Sequence, residues 1–191
     1  MKIRQIWVMW SAADLWYNKS VKKIAFELWK EIALNKYVLV YWAEKDSDSL
    51  SANAAKWAKF KWWIVAWVTY WNTPDIWGDM IDYTDVIINT WMQRWWWREF
   101  VLVSSCDALI VVWWGSWTLN EITIAYQKKI PIVVIEWTWW WADKLKNKYL
   151  DDRYKNDPER FICKWVKTPK EALDYLNNLK KLLTKNQKQI A

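Results

Sequence analysis

The chain has 191 residues, with 28 lysines and arginines against 21 aspartates and glutamates, and it contains no histidine. A chain of this length is long enough for one domain with a sizeable core. The lack of histidine excludes Ser-His and Cys-His triads and histidine-containing zinc sites. Two cysteines, Cys106 and Cys163, are too few for a structural zinc site or a disulfide framework. No apolar run approaches the ~20 residues of a membrane span, so we expect a soluble, cytoplasmic protein. From the missing histidines and the two cysteines we also expect no metal site.

Apolar runs and helical patterns alternate along the chain. Strands are predicted, in chain order, at residues 3–9, 37–41, 64–68, 86–89, 108–112, 131–135 and 162–166. Helices are predicted between them at residues 20–34, 49–60, 98–105 and 119–128. Continuously apolar strands that alternate with helices are typical of a parallel sheet covered on both faces. The predicted fold is therefore a three-layer α/β sandwich with a doubly wound, Rossmann-like sheet.

The last quarter of the chain combines a well-marked helix with all of the excess positive charge. Thr168 is the predicted N-cap of this helix, Pro169 its first residue, and Glu171 the partner that completes a capping box. Residues 144–191 hold 13 basic and 6 acidic side chains. We interpret this charge as a solvated helix face, with a nucleic-acid patch as the alternative. The domain is predicted to span residues 1–183, followed by a lysine-rich tail at 184–191.

Tryptophan usage is the most unusual feature, because the chain has 23 tryptophans and only two glycines. Average glycine usage is about 7%. Residues such as Trp10 and Trp42 directly follow apolar strands, where glycine is favoured for positive φ or close backbone approach. We hypothesise that most tryptophans occupy glycine positions, as would follow if UGA codons read as glycine were translated as tryptophan. The alternative is a chain that is genuinely rich in tryptophan.

Ligands of doubly wound sheets bind beyond the carboxyl ends of the strands, which directs attention to three loops. After the first strand, residues 7–12 become a tight glycine turn under this hypothesis, with the Ser11 hydroxyl available for phosphate or ribose. After the second strand, Glu44 is either a ligand for ribose hydroxyls or a solvated loop acid. The most informative loop follows the fifth strand.

Residues 113–121 read W-W-G-S-W-T-L-N-E and join this strand to a helix. With glycine at the tryptophan positions, the loop's free N–H groups and the helix dipole form an anion site. The T-L-N-E sequence is also a capping box, so Glu121 either contacts a ligand or caps its own helix. The predicted phosphate- or nucleotide-binding residues are Ser11, Trp113, Trp114, Gly115, Ser116, Trp117 and Thr118.

Residues 113–121 resemble the PGGxGTxxE signature of the LONELY GUY-type phosphoribohydrolases, and most closely the related bacterial Rossmann proteins whose leading proline is replaced. Residues 90–103 are similar to that group's loop in which an arginine opens a helix, and residues 54–67 to its A-x-G-A…GG-x-V-x-G segment. These enzymes cleave nucleoside 5′-monophosphates to free base and ribose 5-phosphate. The resemblance implies that Glu121 acts on the ribose and the attacking water, with Arg98, or failing that Arg94, as its basic partner. It also implies a homodimer or larger homo-oligomer, with no metal or cofactor.

Three functions remain open from the sequence. The first is the nucleotide hydrolase that the resemblance implies, and the second is a non-catalytic protein that senses a nucleotide-derived ligand. The third is a DNA-processing, DprA-like protein that binds single strands. Arg98 at a helix start opposes the helix dipole, which favours a role with an anionic ligand. Cys106 is interpreted as a small buried residue, because the chain has no histidine to activate it as a nucleophile.

Overall fold

The computed structural model describes residues 4–9, 19–42, 50–61, 63–69, 78–92, 97–112, 116–136, 149–155 and 164–190. Within these residues the strands are β1 (Gln5–Met9), β2 (Val38–Tyr41), β3 (Val65–Thr69), β4 (Val86–Asn89), β5 (Ala108–Val111), β6 (Ile132–Ile135) and β7 (Lys164–Val166). The α-helices are α1 (Lys19–Leu34), α2 (Leu50–Phe60), α3 (Arg98–Ser104), α4 (Ser116–Gln127) and α5 (Pro169–Ile190). Short 3-10 helices lie at Gly78–Tyr83 and Asp152–Tyr154.

The described strands form one parallel sheet in the order β4-β3-β2-β1-β5-β6-β7. The chain moves outward from β1 to β4, crosses to β5 on the other side of β1, and continues outward to β7. Because this direction reverses between β1 and β5, their carboxyl ends form a topological switch point, where doubly wound folds bind ligands. Met9 pairs with Val111 at these ends, so β1 and β5 end side by side.

Helices cover both faces of the sheet. On one face, α1 packs against α2 and α5, and on the other face α3 packs against α4. This division follows from right-handed crossovers on the two sides of the switch point. The central strands β1 and β5 are buried along nearly their whole length, which explains their continuously apolar sequences. The predicted doubly wound α/β fold is confirmed.

A hydrogen-bonded network joins α5 to the junction between α1 and β2. The Tyr37 hydroxyl donates to Asn177 Oδ1, and Asn177 Nδ2 donates to Asn35 Oδ1 at 2.8 Å. Leu173 and Leu176 of α5 are fully buried in the same core. The last helix is therefore an integral layer of the domain, and its backbone stays helical to Ile190.

The predicted start of α5 is confirmed in detail. Thr168 Oγ1 accepts a hydrogen bond from the N–H of Glu171 at 3.2 Å, as an N-cap does. The Glu171 carboxylate returns to the N–H of Lys167 at 2.8 Å, one residue before the cap. Two otherwise unpaired backbone donors are satisfied in this way, and the entry into the helix is fixed.

The predicted start of α4 is wrong. This helix begins at Ser116, three residues before the predicted position, so Thr118 lies inside its first turn. Thr118 is buried and is not the N-cap of α4. The capping-box interpretation of Glu121 therefore fails, because that role requires Thr118 to precede the helix. Glu121 lies in the second turn of α4, where another explanation of its burial is needed.

Candidate functional site

Helices α3 and α4 bury an unusual set of polar side chains. Arg98, Glu99, Thr118 and Glu121 are each at most 5% exposed, and Arg98 is the first residue of α3. Burial of ionisable groups is costly unless the groups are paired, so clusters of this kind are enriched at functional sites. We name Arg98, Glu99 and Glu121 the acid–arginine cluster.

The Arg98 guanidinium is contacted at one edge by Glu99 and on one face by Trp42. Its Nη2 donates to Glu99 Oε1 at 3.2 Å. Its Cζ lies 4.6 Å from the ring centroid of Trp42, which directly follows β2. This stacking is a cation–π interaction, which is stronger away from water. Arg98 is therefore held at the carboxyl edge of the sheet.

Glu121 is the carboxyl group with the clearest electrostatic perturbation in the cluster. Burial raises the pKa of Glu121 to about 8, opposed by the positive charge of Arg98 and reinforced by the negative charge of Glu99. The smallest effect comes from Trp7 on β1, whose indole N–H faces the carboxylate without a well-formed hydrogen bond and lowers the pKa. Glu121 is therefore largely protonated at neutral pH.

The structure brings together some of the predicted site residues. Arg98 and Glu121 belong to one electrostatic cluster, and Thr118 is buried one turn before Glu121. Trp117 is about half exposed, and Ser116 is the first residue of α4. The predicted residues that lie outside the described part of the chain are Ser11, Glu44, Arg94, Trp113, Trp114 and Gly115.

Glu99 is the member of the cluster that the sequence reasoning missed. An acidic residue in the first turn of a helix ordinarily lies at the surface and interacts favourably with the helix dipole. The one available signal was the direct succession of arginine and glutamate at a predicted helix start, which does not reveal burial. Cys106 fits its prediction, because it is buried and its thiol donates to the carbonyl of Leu102 at 3.1 Å. Burial and the charges of Asp107 and Glu121 raise the pKa of this thiol.

Two tryptophans, one after β4 and one before α3, have left-handed backbone conformations. Trp91 follows β4 with φ of 59°, and Trp97 precedes α3 with φ of 72°. Both side chains are strongly exposed. Positive φ costs a residue with a Cβ about 1–2 kcal/mol and is uncommon for bulky residues. These two positions have the backbone geometry that favours glycine.

A cavity of about 620 Å³ lies between the carboxyl-terminal halves of α1 and α2. Its walls are mostly apolar and include Phe26, Trp29, Leu34, Trp57 and Phe60. No residue of the acid–arginine cluster lines this cavity. In the part of the chain that the structure describes, no set of three or more Cys, Asp or Glu side chains has metal-binding geometry, and no helix has the length and apolar character of a membrane span.

The parallel seven-stranded sheet and the buried cluster beside its switch point define a Rossmann-like α/β protein with a candidate ligand site. The profile of the SLOG cluster4 family matches residues 3–172, and the chain belongs to this family. The resemblance described above is thus confirmed at the level of the SLOG/LOG-like Rossmann superfamily. No curated protein sequence matches the chain.

Solved structures with the same fold cover almost the whole chain. TM1055, a structural genomics target, has a TM-score of 0.72 and 17% identity, over 92% of this chain and 99% of its own. The molybdenum cofactor carrier protein of Chlamydomonas reinhardtii has a TM-score of 0.69 and 22% identity, over 93% and 98%. DNA processing protein A of Streptococcus pneumoniae has a TM-score of 0.58 and 14% identity, over 90% of this chain but 61% of its own. These TM-scores establish a shared fold.

Proposed function

We propose that the protein binds a nucleoside 5′-monophosphate beside the β1–β5 switch point and hydrolyses its N-glycosidic bond. The observation that carries this proposal is the acid–arginine cluster, with Glu121 and Arg98 both buried beside the switch point. Such a cluster is costly to stability, and a ligand or a reaction accounts for it. Membership of the SLOG cluster4 family and the similarity of residues 113–121 to the PGGxGTxxE signature support the same conclusion.

The phosphate is assigned to the amino-terminal end of α4. Residues 113–115 lead directly into Ser116, the first residue of this 12-residue helix. Free N–H groups and the helix dipole favour an anion at such an end. Glu121 is five residues further along, about 7.5 Å of helix rise. That spacing suits a ribose lying between the phosphate and the carboxyl group.

The cluster offers groups suited to N-glycoside hydrolysis. Departure of the base leaves an oxocarbenium-like sugar. Glu121 in its ionised form, which is the major form only above about pH 8, stabilises this positive charge while its oxygens orient water. The hydroxide part of that water adds to C1′, and its proton leaves with the base. The positive charge of Arg98 lowers the pKa of Glu121 and so favours the ionised carboxylate. Arg98 is thus the basic partner of Glu121 in this scheme.

Base release tests the proposal directly. The purified chain is incubated with AMP, GMP, CMP and UMP, and free base is measured by chromatography. We expect release from at least one nucleotide and a loss of about 10²–10³-fold in Glu121→Gln, the range for removal of a group that stabilises charge in the transition state. Glu27→Gln, an exchange of an exposed α1 carboxylate, is the matched control and retains full activity. Equal release by the Glu121→Gln variant would contradict the assignment.

A non-catalytic ligand carrier or sensor is the second candidate. It is favoured by the protonated state of Glu121 at neutral pH, which suits hydrogen bonding to a ligand, and by the fold shared with the molybdenum cofactor carrier protein. Thermal stabilisation by a nucleotide without base release supports this function.

Salt-dependent retention of single-stranded DNA supports the DprA-like alternative instead. We expect a homodimer or larger homo-oligomer, which sedimentation analysis measures.

The proposal includes glycine at most of the tryptophan positions in the naturally made chain. The positive φ values of Trp91 and Trp97 support it. The indole N–H of Trp29 supports it too, because this buried donor has no hydrogen-bond acceptor among the described residues, whereas buried tryptophans usually find one. UGA codons at these positions, and a correspondingly lower intact mass of protein from its own organism, are the expected results. TGG codons at Trp91 and Trp97 would refute this part of the proposal.

A further inference from the structure

We infer that Glu99 is a positioning residue, which orients the Arg98 guanidinium and balances its charge beside Glu121. The inference rests on the proposed function of the site, because it assigns Glu99 a role toward Arg98 and Glu121. Glu99 itself is not assigned a contact with substrate. Its effect is exerted through the two neighbouring charged groups.

The pairing of Arg98 with Glu99 is not a consequence of their succession in the sequence. Adjacent residues of a helix point in different directions and do not ordinarily face each other. Here both side chains turn inward, to 5% and 3% exposure, and meet at 3.2 Å. A buried ion pair is weak evidence of stabilisation, because loss of hydration offsets the attraction. Local control of Arg98 explains the arrangement better than stability does.

Contacts on one face and one edge restrain the Arg98 guanidinium. Trp42 covers one face, with its ring centroid 4.6 Å from Cζ, and Glu99 engages one edge through Nη2. A planar guanidinium with fixed donors is directional only when its plane is fixed. The contact from Glu99 does not depend on whether position 42 holds tryptophan or glycine in the naturally made chain, so Glu99 is the group that orients this plane.

Charge balance gives Glu99 a second effect. Among the residues that the structure describes, the charged and titratable groups that face Glu121 are Arg98 and Glu99 from α3 and Cys106 from the segment after it, and the Trp7 indole faces it from β1. The charges of Arg98 and Glu99 oppose each other at Glu121. Replacement of Glu99 by glutamine removes the negative charge that raises the pKa of Glu121. The pKa of Glu121 then falls, and the carboxylate ionises at lower pH.

Titration of Glu121 by carbon-13 NMR tests this inference without any ligand. The full chain is labelled at glutamate side-chain carboxyl carbons, and Glu121→Gln assigns the signal. We expect a midpoint near pH 8 in the parent chain. In Glu99→Gln the midpoint falls by at least about one pH unit, a tenfold change in the ionisation constant. Glu99→Asp, which keeps the charge, stays close to the parent, and the distant Glu27→Gln is unchanged. An unchanged midpoint in Glu99→Gln would overturn the inference.

Two further measurements extend the test. The first uses the parent chain alone and therefore applies even if Glu99→Gln does not fold, and the second separates the inference from the proposed function. Restricted rotation of the Arg98 guanidinium in the parent chain gives separate Nη nitrogen-15 signals, and rapid averaging would overturn the positioning role. If the chain hydrolyses nucleotides, the limb of kcat/KM near pH 8 moves to lower pH in Glu99→Gln. Absence of hydrolysis defeats the proposed activity alone, whereas an unmoved NMR titration defeats the role of Glu99 alone.

Discussion

The raised pKa of Glu121 makes the stability of the fold depend on pH, and Glu121→Gln removes this dependence. The pKa of Glu121 is about 8 in the folded chain against an ordinary value of 4.5. Between these values the folded chain keeps a proton that the unfolded chain has released, so the free energy of unfolding falls as pH rises. The contribution is fully present below pH 4.5 and is lost by about pH 8. One pH unit corresponds to 1.36 kcal/mol, so this window of about 3.5 pH units gives an upper limit of about 5 kcal/mol.

Urea unfolding of the parent chain and of Glu121→Gln at several values between pH 5 and pH 9 measures this effect. Groups that titrate equally in both chains cancel in the difference between their free energies of unfolding. Glutamine has nearly the same shape as the protonated carboxyl group and does not titrate. We therefore expect Glu121→Gln to gain stability relative to the parent as pH rises to about 8, and then to reach a plateau.

Glu27→Gln is the control for this comparison, because Glu27 is an exposed residue of α1 that forms a surface pair with Lys23. Its difference from the parent chain is expected to stay flat across the same pH range. A flat difference for Glu121→Gln as well would refute the reasoning. That result would mean that the Glu121 carboxyl group is not desolvated, or that the unfolded chain perturbs its pKa to the same extent.

Three further predictions, two of them with a control substitution, are tested by urea unfolding. Trp97→Gly relieves a left-handed φ and raises the free energy of unfolding by about 1 kcal/mol. Its control, Trp57→Gly inside α2, lowers the free energy of unfolding by at least about 1 kcal/mol. Equal effects of the two substitutions would contradict the backbone argument. Thr168→Ala removes the N-cap of α5 and costs about 1 kcal/mol, whereas Thr123→Ala on the exposed side of α4 is nearly neutral. Leu176→Ala, in the fully buried part of α5, costs about 2–5 kcal/mol; a cost below 1 kcal/mol would show that α5 is loosely packed.

The sheet was predictable because each central strand is a short apolar run between helical patterns. The prediction for β5 at residues 108–112 ends one residue beyond the strand, Ala108–Val111. The start of α4 was missed because the T-L-N-E sequence fits two helix starts. It is a capping box if the helix begins after Thr118, and it is part of the first two turns if the helix begins at Ser116, as it does. Local sequence contains no information on which alternative the surrounding structure selects.

The candidate site was only partly predictable for a different reason. Arg98 and Glu121 were identified by resemblance, but their common burial depends on the packing of α3 against α4, which pairs residues distant in sequence. The burial of Glu99 depends on the direction of one side chain in a first helical turn. A pattern of residue types does not determine that direction. Charge balance in the site therefore emerged only from the three-dimensional arrangement.

The hydrogen bonds between Asn177 and the α1–β2 junction have a consequence for the way the chain acquires its structure. Tyr37 and Asn35 receive their partner from a residue some 140 positions later. During synthesis, the first βαβ unit is made before α5, so the side of α1 that α5 covers stays exposed until α5 has left the ribosome. Chaperones that shield apolar surface would act on this interval, and docking of the last helix would end it.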